Sequence, residues 1–182
     1  VSVIGGSGEV FSNDWDLWLY PSAKAVSTPP PSGVRVVTAL DDASLAHLEA
    51  GGDLLLAVPG TAVAGGVQLG FSTVFWNTAW TNGQAPHTLG ILCDPTHPAL
   101  RDFPTEGYSN WQWWYPLHRG GAFVLDSLPD GLTPLVRVID DWFTARRLGL
   151  IIEARVGRGR LILCGADLPA ADDPVNRQLL AS

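Results

Sequence analysis

The chain reads as an α/β protein with a mostly parallel sheet between helices, and two observations predict it. From residue 34 a β-branched run, Val34 to Thr38, is followed by a short helical stretch and then a second apolar run, Asp53 to Val58. Strand, short helix and strand in so few residues is the pattern of a parallel βαβ unit. Both strands are also apolar on their two faces, as a sheet covered by helices requires. With 182 residues, 46% of them hydrophobic and 16% charged, the chain has material for one substantial core.

The elements follow in order. Val1 to Ile4, a Gly5-Gly6-Ser7-Gly8 turn and Glu9-Val10-Phe11 read as β structure. The alternation of Trp15, Leu17 and Leu19 with Asp14, Asp16 and Trp18 extends it to Pro21. Residues 1–21 are therefore an N-terminal β segment. Residues 22–33, containing Thr28-Pro29-Pro30-Pro31-Ser32, have the stiff composition of a linker, and residues 34–182 form the α/β domain. Asp41 or Asp42 caps a helix that carries Leu45 and Leu48 on one face and ends at Gly51-Gly52. Further strands are expected at Val67 to Phe75, Leu89 to Cys93, Ala122 to Leu125, Leu135 to Ile139, Leu148 to Val156 and Arg160 to Gly165. The last two make a C-terminal β-hairpin, because Gly157-Arg158-Gly159 supplies the backbone freedom its turn needs. Asp172-Asp173-Pro174 starts a helix at Val175. The absence of Met and an opening in mid-pattern fit a piece of a longer polypeptide, cut at its far end inside that helix.

Charge narrows the partners. A net charge of -7 without any basic cluster argues against the phosphate backbone of nucleic acid. No apolar run approaches the roughly 18 to 20 residues of a membrane span. Cys93 and Cys164 each end an aliphatic run and read as free structural thiols, and no CxxC pair suggests zinc. Neither a metal nor a cofactor is expected.

Four patterns invite chemistry. Gly5-Gly6-Ser7-Gly8 has the glycines of a phosphate loop but lacks the following helix and the Lys-Ser/Thr pair, so a hairpin turn is the better reading. Cys93 and His97 suggest a thiolate and imidazole pair, yet Pro95 and Pro98 prevent a regular helix from aligning them, and no glycine-flanked elbow exposes the thiol. The acids Asp140-Asp141 and Asp172-Asp173 are adjacent, and Glu106 and Glu153 stand alone. Neighbouring strand residues point to opposite faces, so turns, caps and ion pairs suit these acids better than a glycosidase dyad. The fourth pattern is Tyr108-Ser109-Asn110-Trp111-Gln112-Trp113-Trp114-Tyr115 in a chain with eight tryptophans. If extended, Trp111 and Trp113 share a face on which a sugar ring can stack, with Asn110, Gln112 and Tyr108 as a hydrogen-bonding rim. The competing reading, weighted above it, is that these rings fill a core or an interdomain contact.

The runs Gly90-Ile91-Leu92-Cys93-Asp94-Pro95-Thr96-His97-Pro98, Phe103-Pro104-Thr105-Glu106, Ser109-Asn110-Trp111-Gln112-Trp113-Trp114 and Val138-Ile139-Asp140-Asp141-Trp142 resemble the C-terminal region of bacterial glycoside hydrolase family 2 proteins, relatives of β-galactosidase. The resemblance implies a flavodoxin-like fold similar to class I glutamine amidotransferases, with residues 14–21 as the last strand of a preceding β-sandwich. It carries over no catalytic residue. The chain has no nucleophile elbow and is too short for a catalytic barrel of about 250 residues. The expected role is a non-catalytic accessory domain that packs against or orients the catalytic part of a glycosidase, with neighbouring domains of the same polypeptide as partners. The alternatives are a carbohydrate-binding module using the tryptophan segment, with oligosaccharide as partner, and a degenerate Cys93/His97 hydrolase. A periplasmic or secreted location would follow from a signal peptide on the parent protein.

Overall fold

A computed structural model describes residues 1–21, 33–71, 88–141, 143–168 and 173–182. The expected linker, apart from Gly33, lies outside them, as do residues 72–75 of one expected strand, Trp142 and Asp172.

The first two strands, β1 (Ser2–Ile4) and β2 (Val10–Ser12), form a separate antiparallel hairpin. Its turn is closed by Gly5 N–H to Glu9 O at 2.8 Å, with Gly8 at φ +88°. The glycine run thus makes a hairpin turn. Asn13 still exchanges backbone hydrogen bonds with Val1 at 2.9 and 2.7 Å, but residues 14–21 follow without joining a ladder, so the expected continuation of β structure to Tyr20 does not pair among the described residues.

The other described residues form a mixed α/β fold on an eight-stranded sheet that does not close into a barrel. Strand β3 (Val34–Val37) leads through α1 (Asp42–Glu49) to β4 (Asp53–Ala57), and the two strands pair in parallel. Asp41 starts α1 by accepting from Ser44 N–H at 2.8 Å and from the Ser44 hydroxyl at 2.6 Å. Gly51 ends it at φ +98°, where a side chain would be strained. Leu48 is buried but Leu45 turns to solvent, so the helix presents a narrower apolar face than its sequence suggests.

The remaining strands are β5 (Val67–Gln68), β6 (Gly90–Cys93), β7 (Gly121–Val124), β8 (Val136–Ile139), β9 (Leu148–Val156) and β10 (Gly159–Cys164). The hairpin of β9 and β10 forms as expected around Gly157 at φ +60°. Among the described residues only β3 with β4 and β4 with β10 run parallel; β9 with β7, β8 and β10, β6 with β8, and β5 with β7 are antiparallel. The sheet is therefore mixed and not mostly parallel. The physical reason lies in the connections: a parallel pair needs a long crossover such as the one α1 supplies, whereas a two-residue turn between β9 and β10 forces reversal. Because Gly149 pairs with both Phe123 and Arg137, and Ile151 with both Cys164 and Val136, β7 and β10 lie end to end along one edge of β9, and β8 lies along the other.

Side chains alternate between the two faces of β4 and β10. Leu54, Leu56 and Leu161 meet Leu48 of α1 on one side. On the other side Ala57, Cys164, Leu148 and Leu150 pack with Phe103, Trp113, Leu117 of α2 (Trp114–His118) and Val175 and Leu179 of α3 (Pro174–Ala181). Asp173 caps α3 by accepting from the N–H groups of Val175 and Asn176 at 2.8 and 3.1 Å. Helices thus flank both faces of the sheet.

Candidate functional site

The aromatic surface begins with a local decision at Asn110. Its side-chain oxygen accepts from Gln112 N–H at 3.1 Å and starts a helical turn, Trp111–Trp113, which continues into α2. Pro116 falls in the first turn of α2, where its missing N–H costs nothing. The segment is helical and not extended. Trp111 and Trp114, three apart, therefore share the outer face, while Trp113 turns inward.

The two-ring surface pairing Trp111 with Trp113 does not form, because extended geometry was its premise. Trp113 is 0% exposed, donates its indole N–H to Thr105 Oγ1 at 2.7 Å and meets Phe103 edge-on with centroids 5.2 Å apart. Trp111 is 69% exposed. Its ring lies 5.2 Å from Phe71 at 31° and 6.4 Å from Trp114 at 40°. Trp114 is half-buried, edge-on to Phe71 at 5.4 Å and stacked on His118 at 5.1 Å and 9°. Phe71, 40 residues upstream of Trp111, carries no local signal of this role.

The N-terminal segment completes the surface. Trp15, 63% exposed, and the half-buried Trp18 line a groove of about 640 Å³ with Asp16, Trp111, Trp114 and Tyr115. An adjoining hollow of about 460 Å³ adds Asp14, Phe71, Tyr108 and Asn110. The sequence pattern of Asp14 to Trp18 suggests a strand and gives no local signal of this role; tertiary packing brings Trp15 and Trp18 to the groove.

The polar residues divide into anchors and rim. Gln112 is buried beneath the groove: its amide N–H donates to Pro104 O at 2.8 Å and its carbonyl accepts from the Tyr20 hydroxyl. That bond ties residues 14–20 to the helical turn. Burial, reinforced by the negative charge of Asp173, pushes the Tyr20 hydroxyl up to about 12, so it stays a neutral donor. The Asn110 amide donates to the Glu106 carboxylate. Tyr108 is exposed at the rim.

The other candidates have structural partners. The Cys93 thiol donates to Glu106 O at 3.4 Å, whereas His97 Nδ1 accepts from Ala99 N–H at 3.2 Å as a cap. Burial, with Asp94 and Glu106 nearby, pushes the Cys93 thiol up to about 11, the reverse of what an activated nucleophile needs. Cys164 is fully buried and pushed up to about 12. Among the described residues no group of three or more His, Cys, Asp or Glu could hold a metal ion, and no helix is long and apolar enough to cross a membrane.

Asp140 and Asp141 organise the turn before β9. Asp141 accepts from Phe143 and Thr144 N–H groups at 2.9 and 3.0 Å. Asp140 accepts from Arg146 Nε at 2.7 Å, Nη2 at 3.0 Å and the backbone N–H at 2.9 Å. Burial opposes ionisation of Asp140, but the Arg146 hydrogen bonds outweigh it and hold the carboxyl below its ordinary value. A depressed carboxyl stabilises the fold above its unfolded pKa of about 3.9 and loses that contribution as pH falls through the lower folded value. Asp140→Asn is expected to cost about 1–3 kcal/mol at neutral pH. The gap to wild type should close as melts are taken to progressively more acid buffers; a constant gap would contradict the ionised pair.

Fold and surface together define a mixed α/β domain that presents an open aromatic groove. The chain belongs, through residues 35–182, to the family described as a domain of unknown function, DUF8487. No curated protein matches it.

Proposed function

We propose that this domain is a saccharide-binding accessory unit of a larger carbohydrate-active enzyme, with Trp111 at the centre of its groove. The observation that carries the reading is the cluster of Phe71, Trp111 and Trp114, open to solvent at Trp111 and sharing a groove with Trp15. Flat indole faces match the C–H faces of pyranose rings, and Asn110 and Tyr108 supply hydrogen-bonding groups at the edge. Gln112 serves as an anchor beneath the rings and not as a contact. The likeness to the C-terminal region of family 2 glycoside hydrolases supports the same assignment. An amidotransferase-like origin of the fold is supported by the parallel trio β3, β4 and β10 with α1 on one face.

A second reading, packing against a neighbouring domain, is favoured by the N-terminal segment. The hairpin residues Val1, Val3, Ile4, Val10 and Phe11 are exposed, and Leu17 and Leu19 are 86% and 97% exposed. A two-stranded hairpin gains little stability alone, and such an apolar row marks a contact surface.

Tryptophan fluorescence titration against a panel of oligosaccharides separates the two. Trp111→Ala is expected to weaken binding about tenfold or more while leaving stability within roughly 0.5 kcal/mol. Failure of every oligosaccharide to bind would remove the saccharide reading and leave interdomain packing.

A further inference from the structure

The charged side chains among the described residues that line the groove are all acidic, and this points to the class of saccharide it takes. We infer that it selects oligosaccharides carrying protonated amino groups, an inference that rests on the saccharide-binding reading above. Trp15, Trp18, Trp111 and Phe71 line the hollow together with the exposed acids Asp14 and Asp16. Neither hollow is lined, among the described residues, by any Lys, Arg or His. Among the described residues neither carboxylate takes an ion pair or a side-chain hydrogen bond; only the backbone N–H of Asp14 is engaged, with Asn13 Oδ1 at 3.1 Å. The Glu106 carboxylate stands behind Asn110 and adds to the same sign.

The rings make the site and the acids set its preference. Aromatic faces carry negative quadrupole charge, so an ammonium group held over an indole is attracted by the ring as well as by the carboxylates. A neutral sugar gains only stacking and leaves Asp14 and Asp16 to water. A uronic acid or sulfated sugar meets two like charges and, among the described lining residues, no cation. The net charge of -7 acts in the same direction at longer range. An extended cationic peptide would satisfy the charges too, but it offers no flat C–H face to the paired indoles, so an amino sugar uses both features.

The test titrates the 182-residue chain with three tetrasaccharides of equal length: fully deacetylated glucosamine oligomer, its fully N-acetylated counterpart, and a neutral glucose oligomer. Calorimetry is run in mildly acidic buffer, where the amines are protonated. The deacetylated oligomer is expected to bind about tenfold tighter than the other two. That preference should shrink with added salt and in the Asp14→Asn, Asp16→Asn double variant. Equal binding of all three would overturn the inference and leave saccharide binding standing; no binding by any would remove both. A double variant that keeps the full preference would overturn the assignment to Asp14 and Asp16. Tetralysine binding as tightly as the amino sugar would also overturn it, since charge alone would then suffice.

Discussion

Trp113→Ala is expected to lower stability by about 3–5 kcal/mol, the range for removing a fully buried large aromatic side chain. Three features set that size. The indole is completely enclosed, it packs edge-on against the equally buried Phe103, and its N–H satisfies Thr105 Oγ1 at 2.7 Å. The truncation leaves a cavity between the 103–113 segment and the core that includes Leu117 and Leu148, and it strips the hydroxyl of its partner. Against a typical total of about 5–15 kcal/mol this is a large share, and a fall in melting temperature of about 10 °C or more follows for a chain of this size. Trp111→Ala, two residues away, should leave the melting temperature almost unchanged and act on binding alone. Paired thermal melts and titrations on the two variants check both halves; a Trp113→Ala melt matching that of Trp111→Ala would show that the inward ring is not supporting the core.

The contrast between those neighbouring tryptophans marks where the sequence could be read and where it could not. Strands β6 to β10, the cap at Asp41, the end of α1 at Gly51 and the Gly157 turn were all legible, because each depends on residues within a few positions of one another. Outside the β9 and β10 hairpin, strand direction was not. The antiparallel placing of β7 and β8 on β9 is made by pairings such as Gly149 with both Phe123 and Arg137, which no local pattern encodes. The parallel assignment extrapolated from the one crossover that the sequence displays, through α1.

At the candidate site the residue types were legible and their directions were not. Trp111, Asn110 and Tyr108 do border the groove, but alternation was the wrong period for residues 111–114. The competing signal was present in Asn110, a good helix cap, and in Pro116 in the following turn. Trp114, Phe71, Trp15 and Trp18 joined the surface only through tertiary contacts. Cys93 and His97 illustrate the converse, since each of those chemically suggestive side chains is occupied by a nearby backbone group.

Gly165→Ala is expected to cost roughly 3 kcal/mol or more, although it adds a single methyl group. Gly165 stands where β10 meets the start of β7 along the shared edge of β9, donating to Leu150 O at 2.9 Å and accepting from Gly121 N–H at 2.9 Å. A Cβ on Gly165 would lie 2.0 Å from the Gly121 carbonyl oxygen, so relief requires movement of backbone and not of a flexible side chain. Glycine is needed at this position for space; its φ is not in the left-handed region. The neighbours offer no slack, because a Cβ on Gly121 would in turn meet Gly60 O at 2.4 Å and one on Gly60 would meet Arg119 O at 2.0 Å. Separating the strands enough to admit the methyl group breaks one or both hydrogen bonds at the junction, which is why the cost exceeds that of ordinary overpacking. Gly131→Ala is the control, with nothing within 4 Å of its added methyl and no left-handed φ. Denaturant titrations should place that control close to wild type and Gly165→Ala far below it. Equal midpoints for the two variants would mean that β7 and β10 do not abut in the way their shared pairing with β9 requires.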